Sequence, residues 1–226
     1  MAIETIFRLA MAILGTGISF FLAYYVLSRG DVNWIKRSFA IYCFSAGVYL
    51  STRLMRIWGN YEFYSVVGML FTMVFAMFGV PVGLLLFSRL LTHGEEKVFK
   101  RDVLLFIIGP PFIVMLVGLV FRPWNLVQSP IGPIPIFDPP FRVLYNIIVF
   151  GWMLIATFNV GFAIKHITDE KFRAKLTAVR NGLLGIVLVS FVAYGIAINV
   201  GWHNVNVAGD FLNALLQAYI AYSYMK

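Results

Sequence analysis

Seven apolar runs, each long enough to cross a bilayer, divide this chain at about residues 6–27, 39–57, 63–91, 103–121, 143–164, 176–200 and 205–224. A hydrocarbon core of about 30 Å takes about twenty helical residues. Lipid offers no partners to backbone N–H and C=O groups, so a run that crosses it must close its hydrogen bonds within itself. The runs are therefore expected to be helices. The expected fold class is all-α, a polytopic seven-transmembrane-helix bundle forming a single integral membrane domain over residues 1–226. Composition agrees: 61% of the residues are hydrophobic, 12% are charged, and the mean hydropathy is +0.85.

Charge sets the expected orientation. With seven spans and an outer N-terminus, thirteen of the eighteen lysines and arginines fall in cytoplasmic connections or at the C-terminus. Arg8, Arg53, Arg56, Arg122 and Arg142 fall outside. The positive-inside rule then favours N-terminus outside and C-terminus cytoplasmic. The same short basic connections account for the net charge of +8, so the expected partner is the lipid bilayer and not nucleic acid. Trp34, Trp58, Trp124 and Trp202 fall at expected helix ends, as an interfacial belt requires. The first run lacks a small-residue cleavage pattern and is expected to be a retained helix. Compact loops and no targeting peptide suggest a prokaryotic cytoplasmic membrane.

The last run carries a carboxylate well inside its span. Asn206, Asp210, Asn213 and Gln217 recur at helical spacing and form one polar line. A charged group at membrane depth costs roughly 2.5–3.5 kcal/mol on insertion scales, so Asp210 needs a partner or water. The second run has its own line: Tyr42, Ser45, Tyr49, Arg53 and Arg56. Arg53 and Asp210 each lie about one helical turn from the outer end of their runs, or roughly 6 Å below the interface at 1.5 Å per residue. An Arg53–Asp210 ion pair is expected, with Arg56 as a second partner, in an outer-leaflet cavity rimmed by Tyr49, Asn206, His203 and Asn213. Such a cluster is either a clamp between helices or a ligand site. Two arginines on one helical face suit a carboxylate or phosphate.

The remaining features point to structure. Gly15, Ser19 and Ala23 make a small-residue face suited to close helix contact. Met69, Met73 and Met77 read as core filler. Gly79-Val80-Pro81-Val82-Gly83 should kink the third helix, and Gly109-Pro110-Pro111 should bend the fourth or delay its start. The outer loop 122–142 is rich in proline. It should be an extended, stiff cap that lays Ile131, Ile134, Ile136 and Phe137 on the bundle or the interface. Cys43 is the only cysteine, and His93, His166 and His203 fall in connections, so neither a metal site nor a cofactor is expected. Asp210 has no second acid or nucleophile at its depth, and an enzyme is not expected.

Lys171-Phe172-Arg173-Ala174-Lys175-Leu176-Thr177-Ala178-Val179-Arg180-Asn181-Gly182-Leu183-Leu184-Gly185 leads into the sixth run, a short loop and a final helix. This arrangement resembles the C-terminal part of the seven-helix membrane sensor module that precedes many microbial histidine kinases. The resemblance implies a receptor-like module with N-terminus outside, acting in signal transduction on a stimulus from the outer side. The sequence ends at Lys226, so the output is expected on a separate cytoplasmic signalling partner. Two alternatives stay open: an anchoring subunit held by other membrane subunits of a larger complex, redox complexes included, and a small-solute transporter.

Overall fold

Periodic apolar runs become helices that pack side by side, and the helical elements lie close to the expected runs. In the computed structural model, residues 3–58, 61–129, 132–197 and 203–225 are described. The helices are α1 (Ile3–Ser28), α2 (Trp34–Trp58), α3 (Tyr61–His93), α4 (Arg101–Phe121), α5 (Pro139–Ile164), α6 (Glu170–Ser190, prolonged by a π-helical stretch Phe191–Ala197) and α7 (His203–Met225). A single helical turn, Glu95–Val98, links α3 to α4.

Among the described residues, five stretches are long and apolar enough to cross a membrane: Thr5–Ser28, Tyr61–His93, Arg101–Phe121, Pro139–Ile164 and Glu170–Ile196. The protein is therefore a multi-pass helical membrane bundle by length and composition. Helices α2 and α7 match these stretches in length. Their hydropathy is lowered by Lys36, Arg37, Arg53 and Arg56 in α2, and by the polar line in α7.

The helices α1, α2, α3, α5, α6 and α7 pack in that order into a closed ring, with α7 returning to α1 and α4 lying outside against α3. The small face of α1 is buried, and Gly15 lies against Leu50 of α2 and the Asp210 backbone of α7. Met69, Met73 and Met77 are fully buried in the core.

Proline shapes two helices without ending them. The expected kink of α3 takes the form of a π-helical stretch, Thr72–Gly79, just ahead of Pro81. There the Val80 N–H donates to the Phe75 carbonyl five residues back. A second π-helical stretch, Tyr64–Gly68, lies nearer the start of α3. Helix α4 starts at Arg101 and runs through Pro110 and Pro111, so a late start is ruled out. Pro111 has no N–H for the Ile107 carbonyl, which instead accepts the Trp152 indole N–H at 3.0 Å. This explains why one tryptophan sits in mid-span, where it also stacks on Phe106.

The all-α expectation fails in one place. The proline-rich connection folds as an antiparallel hairpin of β1 (Trp124–Ser129) and β2 (Gly132–Phe137), with Trp124 opposite Phe137 and Val127 opposite Ile134. Extended, stiff chain was expected, and the pairing was not. Pro133 and Pro135 are two residues apart, which puts both missing donors on one edge of β2 and spares its ladder to β1. Alternation turns Trp124, Leu126, Pro133, Pro135 and Phe137 toward the bundle. Ile134, half-buried, and Ile136, 51% exposed, lie on the opposite face of the hairpin and border the chamber described below; Ile131 lies outside the described residues. At the turn, Gly132 has φ +90° and lies against the Arg56 backbone carbonyl, so a side chain there would meet both a disfavoured backbone and a collision.

Candidate anion-binding site

The polar line of α7 is bonded residue by residue. Asn206 donates its Nδ2–H to the Ala193 carbonyl at 3.1 Å, and Asn213 donates to Ser190 Oγ at 3.0 Å. Gln217 accepts from Ser19 Oγ at 2.9 Å. Between them, Asp210 Oδ2 accepts from Arg53 Nε at 2.9 Å, and its other oxygen accepts the Tyr194 hydroxyl. The expected Arg53–Asp210 pair is thus present. It forms although α1 lies between α2 and α7, because the long arginine side chain spans the gap. Asp210 is 1% exposed and Arg53 is 7% exposed, so this is a desolvated pair and not a snorkelling one.

Beside the pair is a chamber of about 430 Å³, lined by α2, α3, α5, α6, the start of α7 and the hairpin. Sites for small molecules span about 300–1,000 Å³. Arg53, Arg56 and Arg142 line the chamber, and no carboxylate does. Asp210 neutralises Arg53. Among the described residues, neither Arg56 nor Arg142 has an acidic side chain within ion-pair distance. Tyr49, Tyr64, Tyr145 and Tyr194 supply aromatic walls with hydroxyls, and Ile134, Pro135 and Phe137 of the hairpin supply an apolar roof.

Arg56 carries the electrostatic argument. It is 5% exposed, and its Nε has no hydrogen-bond partner among the described residues. Its guanidinium lies 5.9 Å from the Tyr64 ring centroid. Such a contact is worth about 0.5–2 kcal/mol, whereas burying a cation costs several kcal/mol. The ring therefore leaves most of the cost uncovered, and the chamber itself must supply water or an anion. Arg142 stands exposed at the chamber's edge and adds a second unneutralised charge.

A second, smaller cavity of about 60 Å³ lies deeper and shares Tyr49, Tyr145 and Tyr194 with the chamber. Apolar side chains such as Ala46, Ala76, Val149 and Met153 line one side of it, and Ser190, Asn213 and Gln217 the other.

Two expectations are corrected. Arg56 is not a second partner of Asp210; its guanidinium lies over Tyr64 and its backbone carbonyl lies against Gly132. Asn213 faces the deeper cavity and not the chamber. The α7 line divides its bonds among α1, α2 and α6. Tyr49, Arg53 and Asn206 line the chamber as expected, while the side chain of His203 lies outside the described residues.

Sequence reading missed Tyr194 and Ser190 as partners, although a signal was available. The pairs Asn206–Ala193, Asp210–Tyr194 and Asn213–Ser190 are nearly symmetric in sequence about Gly201. That is the pattern of two antiparallel helices joined by a short connection, so counting outward from the connection would have found them. Tyr64 and Thr72 lie on π-helical stretches, where a regular helical period misplaces side chains, and no local signal marked them. Among the described residues, no three His, Cys, Asp or Glu side chains come together as a metal site would require. No family model and no curated protein matches the chain.

Proposed function

We propose that this protein is a seven-helix membrane sensor that binds a small organic or inorganic anion in the arginine chamber. In this reading α2 and α7 cross the bilayer with the five more apolar helices. The N-terminus and the hairpin face outside, and the C-terminus is cytoplasmic. The single observation that carries the binding step is Arg56, a buried guanidinium with an unpartnered Nε, facing a chamber that holds arginines and no carboxylate. A carboxylate or phosphate placed between Arg56 and Arg142 gains charge-assisted hydrogen bonds and can also take the tyrosine hydroxyls.

Signalling follows from the connections of the chamber. Tyr194 lines it and is bonded to Asp210, so a ligand that moves Tyr194 acts on the α6–α7 pair. Both helices run to the opposite end of the bundle, where a separate cytoplasmic partner would read their relative position. The π-helical Phe191–Ala197 supports this reading, because such stretches interrupt the regular helical bonding and are common at functional sites.

The test is isothermal titration of the purified protein in lipid nanodiscs with inorganic phosphate, acetate and glycolate. Binding of at least one anion is expected, with the Kd raised at least about tenfold, or 1.4 kcal/mol, in Arg56→Gln. Equal affinity in Arg56→Gln and the unmodified protein would sink the proposed site.

A further inference from the structure

The two cavities share Tyr49, Tyr145 and Tyr194 as a common wall, in which the Tyr49 and Tyr194 rings touch with their centroids 6.3 Å apart. The chamber holds the positive charges. The deeper cavity holds none: apart from its tyrosines it is apolar toward α2, α3 and α5, and Ser190, Asn213 and Gln217 line it on the α6 and α7 side. Its polar side is incomplete. Asn213 is 9% exposed and gives its Nδ2–H to Ser190, but its Oδ1 has no hydrogen-bond partner among the described residues. A buried carbonyl oxygen without a donor is uncommon and marks a place where something else donates. Along α7, Asn206 in the chamber wall and Asn213 in the deeper cavity are seven residues apart, or about 10 Å at 1.5 Å per residue.

We propose that the deeper cavity is the tail pocket of the same site. The ligand is then an extended organic anion with its carboxylate or phosphate on Arg56 and Arg142. The Tyr49 and Tyr194 rings part to admit a short carbon chain, and the Asn213 side chain turns its Oδ1, closed off in this structure, to a hydrogen-bond donor at the far end of that chain. This rests on the anion-site reading and narrows it, since a compact anion such as phosphate fills only the chamber. Each methylene moved from water into the apolar side of the tail pocket multiplies affinity about fourfold. A terminal hydroxyl supplies the donor that Asn213 lacks.

The experiment is titration in nanodiscs with phosphate and with ω-hydroxy carboxylates, from glycolate through γ-hydroxybutyrate to homologues of about eight carbons. The same series on Arg56→Gln subtracts partitioning into lipid. The expected result is an affinity at least about tenfold higher for the best longer homologue than for glycolate. A loss is expected when its terminal hydroxyl is replaced by hydrogen. Ala46→Leu, which fills the tail pocket, should abolish the gain with chain length; the series on the unmodified protein decides the matter if that variant does not fold. Binding of phosphate and all homologues with equal affinity would leave the anion site standing and overturn the tail pocket. Binding of neither phosphate nor any carboxylate would overturn both.

Discussion

The two ends of this bundle solve opposite problems with the same helices. Away from the hairpin, side chains are removed so that helices close up: Gly83 lies against the Tyr42 backbone, Gly182 against Ile220, and Gly185 against Leu216. Aromatic rings fill the space that remains, with Phe39 and Phe87 centroids 4.8 Å apart and Phe87 edge-on to Tyr224 at 6.1 Å. Toward the hairpin, tyrosines and arginines hold the helices apart around two cavities. The π-helical stretches of α3 and α6 supply Tyr64, Thr72 and Tyr194 to the chamber. One end spends its sequence on cohesion, and the other keeps open a charged space that cohesion would collapse. The Arg53–Asp210 pair joins the two, since it holds α2 to α7 and borders the open space without adding charge to it.

The largest effect should come from breaking that pair. Asp210→Ala leaves Arg53 buried and uncompensated and should cost about 3–5 kcal/mol in reversible unfolding in detergent. Adding Arg53→Ala should then cost little more. Strict additivity in this double-mutant cycle would show that the two side chains do not act as a pair.

A smaller effect tests the close-packed end. A Cβ at position 83 would lie 2.8 Å from the Tyr42 backbone nitrogen, so Gly83→Ala should lower stability by about 1–3 kcal/mol through overpacking. Affinity for inorganic phosphate, which fills only the chamber, should be unchanged, because Tyr42 lines the deeper cavity and not the chamber. If Gly83→Ala weakens anion binding as much as stability, the two ends are not separable.

The smallest effect on stability is expected where the effect on binding is largest. Arg56→Gln removes an unneutralised buried charge and should cost less than about 1 kcal/mol of unfolding free energy, while weakening anion binding at least about tenfold. A large loss of stability in this variant would mean that Arg56 is a structural residue and that the chamber is merely a packing defect.

Much of the local structure was legible in the residues. Apolar runs of membrane length identify helices because backbone satisfaction in lipid is a local requirement. The polar line of α7 and the small face of α1 follow from helical spacing, and the Arg53–Asp210 pair follows from matched depth. Where the backbone leaves the regular period, as at the π-helical stretches, or pairs at a distance, as in the hairpin, a local reading fails. Proline in 122–142 excluded a helix there, but nothing local required β1 to face β2.

The residues by themselves determined which segments are helical, which faces are polar, and that Asp210 needed a partner. Only the tertiary structure decided that Asn206 and Asn213 bond to α6, that Arg56 is left without a carboxylate, and that the hairpin roofs a chamber over it. The division has one physical cause. Periodicity and burial cost are properties of each helix alone, whereas a cavity exists only in the gaps between helices, where side chains from α2, α3, α5 and α6 converge and no one segment records the space among them.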